Sequence, residues 1–137
     1  MVHWTQEERD EISKTFQGTD MKTVVTQALD RMFKVYPWTN RYFQKRTDFR
    51  SSIHAGIVVG ALQDAVKHMD DVKTLFKDLS KKHADDLHVD PGSFHLLTDC
   101  IIVELAYLRK DCFTPHIQGI WDKFFEVVID AISKQYH

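Results

Sequence analysis

Apolar residues recur along most of this chain in steps of three and four, the spacing of helices that turn one face inward. Val24, Ala28, Leu29, Met32 and Val35 trace one such stripe, and Val58, Ala61, Leu62, Ala65 and Met69 trace a second. Leu75, Leu79, His83 and Leu87 form an i+4 row, while Lys81, Lys82, Asp85 and Asp86 take other faces. Further on, Phe94, Leu97, Ile101, Leu105 and Leu108 make one strongly apolar stripe, and Ile120, Phe124, Val127, Val128 and Ile132 another. Nothing reads as a strand system.

The punctuation agrees with the stripes. Thr5 and Glu8 have the spacing of a capping box ahead of a helix that runs to Gly18. Asp20 can cap the next helix, and Pro37 fits the first turn of a short helix through Phe43. A polar, basic connection from Gln44 to Arg50 follows. Asp90-Pro91 and Thr114-Pro115 each set a capping side chain before a proline and open two long helices. The pattern predicts a single all-α domain over residues 1–137 with about seven helices.

Composition adds exclusions. With 137 residues the chain can bury about 68–70% of its unfolded surface. A formal charge of −2 gives no general attraction to nucleic acid or an anionic membrane. No stretch approaches the ~20 apolar residues of a membrane span, and the N-terminus lacks a signal-peptide core, so a cytoplasmic protein is expected. Cys100 and Cys112 are read at opposite ends of one helix, about 18 Å apart and beyond disulfide reach.

The candidate chemistry rests on His54 and His83, each on the apolar face of its own helical segment. A lone histidine there is usually a hydrogen-bonded core residue. Two aimed into one apolar space suggest a metal between them, or a cofactor that carries one. Spacing alone leaves both readings open.

Beyond the spacing, the motifs Tyr36-Pro-Trp-Thr-Asn-Arg-Tyr-Phe43, Leu87-His-Val-Asp-Pro91, Phe113-Thr-Pro115 and Gln135-Tyr-His137 stand in this order. With them the chain resembles the globin family over essentially its whole length, and within it the β-type chains of vertebrate haemoglobins. Val2-His3, Trp38 and His137 favour the β-type over the α-type. The resemblance implies a globin fold around haem b (iron protoporphyrin IX), with His83 as proximal iron ligand and His54 as distal histidine. It implies that Phe43, Val58, Leu62, Leu79 and Leu87 line the haem pocket, with Val89, Phe94, Leu97 and Ile132. An N–H from His54 would stabilise partly anionic dioxygen, and carbon monoxide less. The implied function is reversible dioxygen transport in red blood cells, as the β-type subunit of an α2β2 tetramer with α-type chains. Met1 would be an initiator residue removed to leave Val2 as the amino terminus.

The same resemblance implies further sites. Trp38, Arg41, His88 and Asp90 would lie on the sliding contact with an α-type partner, and Arg31, Tyr107, Phe113 and Pro115 on the static one. Val2, His3, Lys73 and Lys134 match the lining of an organic-phosphate cleft, and His137 would pair with Asp85 as a proton-linked switch. His68, His95 and His116 read as solvated or contact residues. The chain departs from the family pattern in three places. The stretch from Phe43 to His54 is short, so the small fourth helix is expected to be absent. Val25 and Ala55 replace glycines at a close helix crossing, and their methyls are expected to push those helices apart or shift them. Ile57 replaces a basic residue that often pairs with a haem propionate. The alternative function is an enzyme on the same fold, a haem peroxidase or nitric-oxide dioxygenase. A peroxidase would want a cationic side chain beside the distal histidine. Ile57 and Val58 surround that helix turn, and no arginine is read one turn from His54.

Overall fold

Three of the helices start at caps that the sequence marks. The structure is a computed structural model and describes residues 2–43, 50–82 and 92–134. Thr5 begins α1 (Gln6–Gln17) with a full capping box. Its Oγ accepts from the Glu8 N–H at 3.1 Å, and its own N–H donates to Glu8 Oε1 at 2.8 Å. Asp20 caps α2 (Met21–Val35) through the Thr23 N–H, and Thr114 caps α7 (Pro115–Ser133) through the Ile117 N–H. Pro37 opens a short 3-10 helix, η1 (Pro37–Tyr42). Between these lie α3 (Ser51–Lys67), α4 (Val72–Leu75), α5 (Lys77–Lys82) and α6 (Gly92–Arg109). Residues 44–49, where a helix is expected to be missing, and Asp90-Pro91 lie outside the described residues.

Two packing layers follow from the stripes. Helix α2 lies against both α3 and α6, and α7 against α1, α4, α5 and α6. Trp121, Phe124, Ile12, Leu29, Ile101 and Leu105 are fully buried where these layers meet. Trp121 and Phe124 meet edge to face with ring centroids 5.5 Å apart. Each large apolar side chain buried in this way stabilises the fold by about 1.5–3 kcal/mol. No helix among the described residues is long and apolar enough to cross a membrane.

Three sequence expectations need correction. Val35 and Leu108 belong to apolar stripes but are exposed, at the ends of α2 and α6. The row through Leu75 and Leu79 is not one continuous helix, since α4 ends at Leu75 and α5 begins at Lys77. Phe76 at the break is buried, as are Val72 and Ser80, while Leu75 turns outward. The larger ring takes the core position and rotates the row by one residue. Nor do the cysteines share a helix. Cys100 is buried inside α6, which ends at Arg109, and exposed Cys112 belongs to the 3-10 turn η2 (Lys110–Cys112). Lys110, the first residue of η2, lies in the left-handed region at φ 52°, a conformation that costs an L-residue roughly 1–2 kcal/mol. Both cysteines are free, and burial pushes the Cys100 thiol up, away from reactive thiolate.

The amino-terminal segment is tied down by the buried Trp4, whose indole N–H donates to the Met69 carbonyl at 3.3 Å, and by Lys123. Lys123 Nζ on α7 donates to the His3 carbonyl at 2.7 Å and to Glu8 at 3.0 Å, and lies 4.6 Å from the centre of the Trp4 ring. The Thr5 N–H, and then Lys123, hold the Glu8 carboxyl below its ordinary value of 4.5. A carboxyl with a lowered folded-state pKa contributes stability that is present above 4.5 and is lost as pH falls through the folded value. Glu8→Gln is expected to flatten the fall of thermal stability with pH below about 4.5, measured by melting temperature from pH 6 to 3. An unchanged acid limb in the variant would remove this pair from the acid response.

Candidate functional site

The site begins where α3 is pinned to α2. Ser51, the first residue of α3, donates to Asp30 Oδ1 of α2 at 2.6 Å. The Arg50 carbonyl accepts from the His54 N–H at 3.1 Å and closes the first turn. Val25 of α2 and Ala55 of α3 are both fully buried, on two helices that lie against each other.

His54 is half-buried on the inward side of the first α3 turn. The Phe43 ring stands edge-on to it with centroids 5.0 Å apart, and Phe33 of α2 backs Phe43 at 5.4 Å. One turn along α3 follows half-buried Val58, and then buried Leu62. Leu79 of α5, Phe94 and Leu97 of α6 and Ile132 of α7 are likewise half-buried. Val58, Leu79, Leu97 and Ile132 pack on the buried core with one side and keep another side accessible. An imidazole beside such apolar side chains fits a flat apolar group whose metal already has most of its ligands, and iron protoporphyrin is such a group. The expected proximal residue His83 and the pocket residues Leu87 and Val89 lie outside the described residues. So do His88, Asp90, Asp85 and His137.

One sequence reading is corrected here. Arg50 does stand one turn before His54, as the residue preceding α3. It is exposed, and Ile57 on the next turn is exposed too. Arg50 touches His54 by the backbone hydrogen bond just described.

The expected contact surfaces divide. Trp38 and Arg41 of η1 are exposed, with Trp38 edge-on to Tyr36 at 5.5 Å. Tyr107 is 75% exposed and Pro115 is exposed, but Phe113 is only 8% exposed and belongs to this chain's own core. Arg31 donates through Nε to Glu104 Oε1 at 2.9 Å, a pairing that sequence reading missed. Val2, His3, Lys73 and Lys134 are exposed, yet Lys73 is matched by Asp130 at 3.4 Å. No local pattern announces pairs separated by so much chain. His95 and His116 meet Glu126 and Glu7 at the surface, pairs worth little in water. A surface cleft by Arg9, Ser13, Val66 and His68 lies on a different part of the fold, and Asp70 occupies Arg9 there at 2.7 Å.

Comparison with known proteins adds an independent line. The Globin family profile matches residues 26–132. Hemoglobin subunit beta of Heterodontus portusjacksoni is 52% identical over 99% of this chain and 100% of its own length. Among solved structures, the CO form of hemoglobin from Mustelus griseus is 97% identical, with a TM-score of 0.92 over 96% of this chain and 99% of that one. Hemoglobin of Isurus oxyrinchus is 66% identical, with a TM-score of 0.94 over 99% of this chain and 100% of that one.

The burial of Val25 on α2 makes a prediction of its own. Val25→Ala removes two buried methyl groups from α2 and is expected to cost about 2 kcal/mol of unfolding free energy. Denaturant unfolding checks it. A loss below about 0.5 kcal/mol would mean that the Val25 side chain does not fill a packed site.

Proposed function

The chain belongs to the globin family, and on that premise we propose that it carries dioxygen reversibly on haem b as the β-type subunit of a haemoglobin. The observation that carries this reading is His54, half-buried on α3 with the Phe43 ring 5.0 Å away, in a chain that matches haemoglobin β subunits end to end. Haem supplies a ferrous iron able to bind dioxygen reversibly, and His83 would be the protein ligand that holds it. Phe43, Val58, Leu62, Leu79, Leu87, Val89, Phe94, Leu97 and Ile132 would exclude water from its faces. That dry surrounding opposes oxidation, because separated charge is costly in low dielectric. His54 would donate an N–H toward a ligand bearing partial negative charge and so favour dioxygen over a less polar diatomic. The Arg50 side chain is exposed, which does not favour the peroxidase reading.

The finer reading is a cooperative α2β2 tetramer with α-type chains, housed in red blood cells. Exposed Trp38 and Arg41 support a contact at η1, joined in the proposal by His88 and Asp90. His137 with Asp85 would supply part of the pH response. A charged imidazole paired only in the low-affinity state releases its proton when that pair opens.

Ligation is tested by two variants. His83→Gly is expected to abolish stable haem binding or to make it depend on added imidazole. His54→Leu is expected to keep haem and to speed dioxygen dissociation by about ten- to hundred-fold, the worth of one hydrogen bond to a charged acceptor. Stopped-flow dissociation decides it, and an unchanged rate would refute the distal role.

Anion control is tested through Asp130. An exposed pair is worth up to about 1 kcal/mol, so Asp130 should hold down the anion affinity of Lys73 by at most about five-fold. Asp130→Asn is expected to strengthen the fall of oxygen affinity caused by an organic polyphosphate, read from oxygen equilibria with and without it. An identical response in both proteins would take Lys73 out of the anion site.

A further inference from the structure

Exposed Val35, Val103, Tyr107 and Leu108 lie on α2 and α6, the two helices joined by the Arg31–Glu104 ion pair. Val35 follows Arg31 by one turn and Leu108 follows Glu104 by one turn, so the pair sits among them. The two members differ in exposure. The Glu104 side chain keeps 10% of its surface and the Arg31 side chain 43%, so the carboxylate forms the floor and the guanidinium the top. The bond runs through Nε, which leaves the four Nη hydrogens of the planar fork unspent by Glu104.

We propose that Glu104 is a positioning residue, which holds the Arg31 guanidinium so that its Nη donors meet a neutral acceptor on an incoming α-type chain. The inference rests on the subunit reading above. An arginine free to rotate would lose side-chain entropy on docking, and one already held by Nε loses much less. The buried carboxylate also cancels the guanidinium charge locally. A neutral pair inside an apolar face favours a backbone carbonyl or a side-chain amide over a second full charge, which would have to be desolvated. A basic side chain at that point is repelled by the guanidinium. The face therefore selects for shape and for one acceptor.

The test uses the haem-loaded chain assembled with its co-expressed α-type partner, and reads the αβ association constant by subunit exchange. The melting temperature of the isolated chain is recorded beside it. Tyr107→Asp tests the face itself and is expected to weaken association. Glu104→Val is expected to weaken it about ten-fold or more, Glu104→Gln to recover most of the loss, and Arg31→Lys to behave like Arg31→Leu. Arg31→Leu with Glu104→Val should be no weaker than Arg31→Leu alone, because the carboxylate acts through the arginine. If Tyr107→Asp weakens association while Glu104→Val and Arg31→Lys leave it unchanged, the positioning role is overturned and the face stands. If Tyr107→Asp has no effect, the underlying subunit face is wrong. A drop in chain melting temperature that accounts for the whole loss, with no recovery by Gln, would overturn the inference as well.

Discussion

The contact between α2 and α3 decides where His54 stands. Val25 of α2 and Ala55 of α3 are fully buried, and the Ser51–Asp30 hydrogen bond fixes the end of α3 against α2. Helices pack at separations set by the side chains between them, so packing on α2 places the first turn of α3. His54 lies on that turn, next to Ala55. The same helix α2 carries Phe33, which backs Phe43, and Phe43 in turn meets the imidazole. Distal geometry is therefore a consequence of core packing. A change of one methyl group in the core reaches the site without touching it.

Elsewhere the site depends on apolar side chains that serve two masters. Val58, Leu79, Leu97 and Ile132 press on the buried core from one side and keep the other side accessible. Burial of that remaining apolar surface by a flat ligand would add roughly 25 cal/mol for each Å² removed from water. Ligand binding and folding are then coupled, since whatever binds only the folded chain stabilises it by mass action. Carrying a haem and completing the core become the same event.

Much of this was legible in the sequence, for identifiable reasons. Caps at Thr5, Asp20 and Thr114 are local, so a few neighbouring residues specify them. Stripes on α2, α6 and α7 gave the buried face, since periodicity reports which residues share a side. Periodicity does not say what covers that side. Val35 and Leu108 follow their stripes yet face outward. The break at Phe76 was missed because an i+4 row through Leu75 and an equally good row through Val72 and Phe76 differ by one residue. Arg31–Glu104 and Lys73–Asp130 join distant parts of the chain and leave no local mark. Of the two histidines, His54 is half-buried on α3, while His83 lies outside the described residues.

Haem titration of the apoprotein tests the central claim most directly. The account predicts saturation at one haem per chain, with a sharp Soret band and a rise in melting temperature that grows with haem concentration. After reduction, the loaded chain should take up and release dioxygen through repeated cycles without loss of the ferrous spectrum. Haem that binds without a stoichiometric end point and leaves the melting temperature unchanged would contradict it.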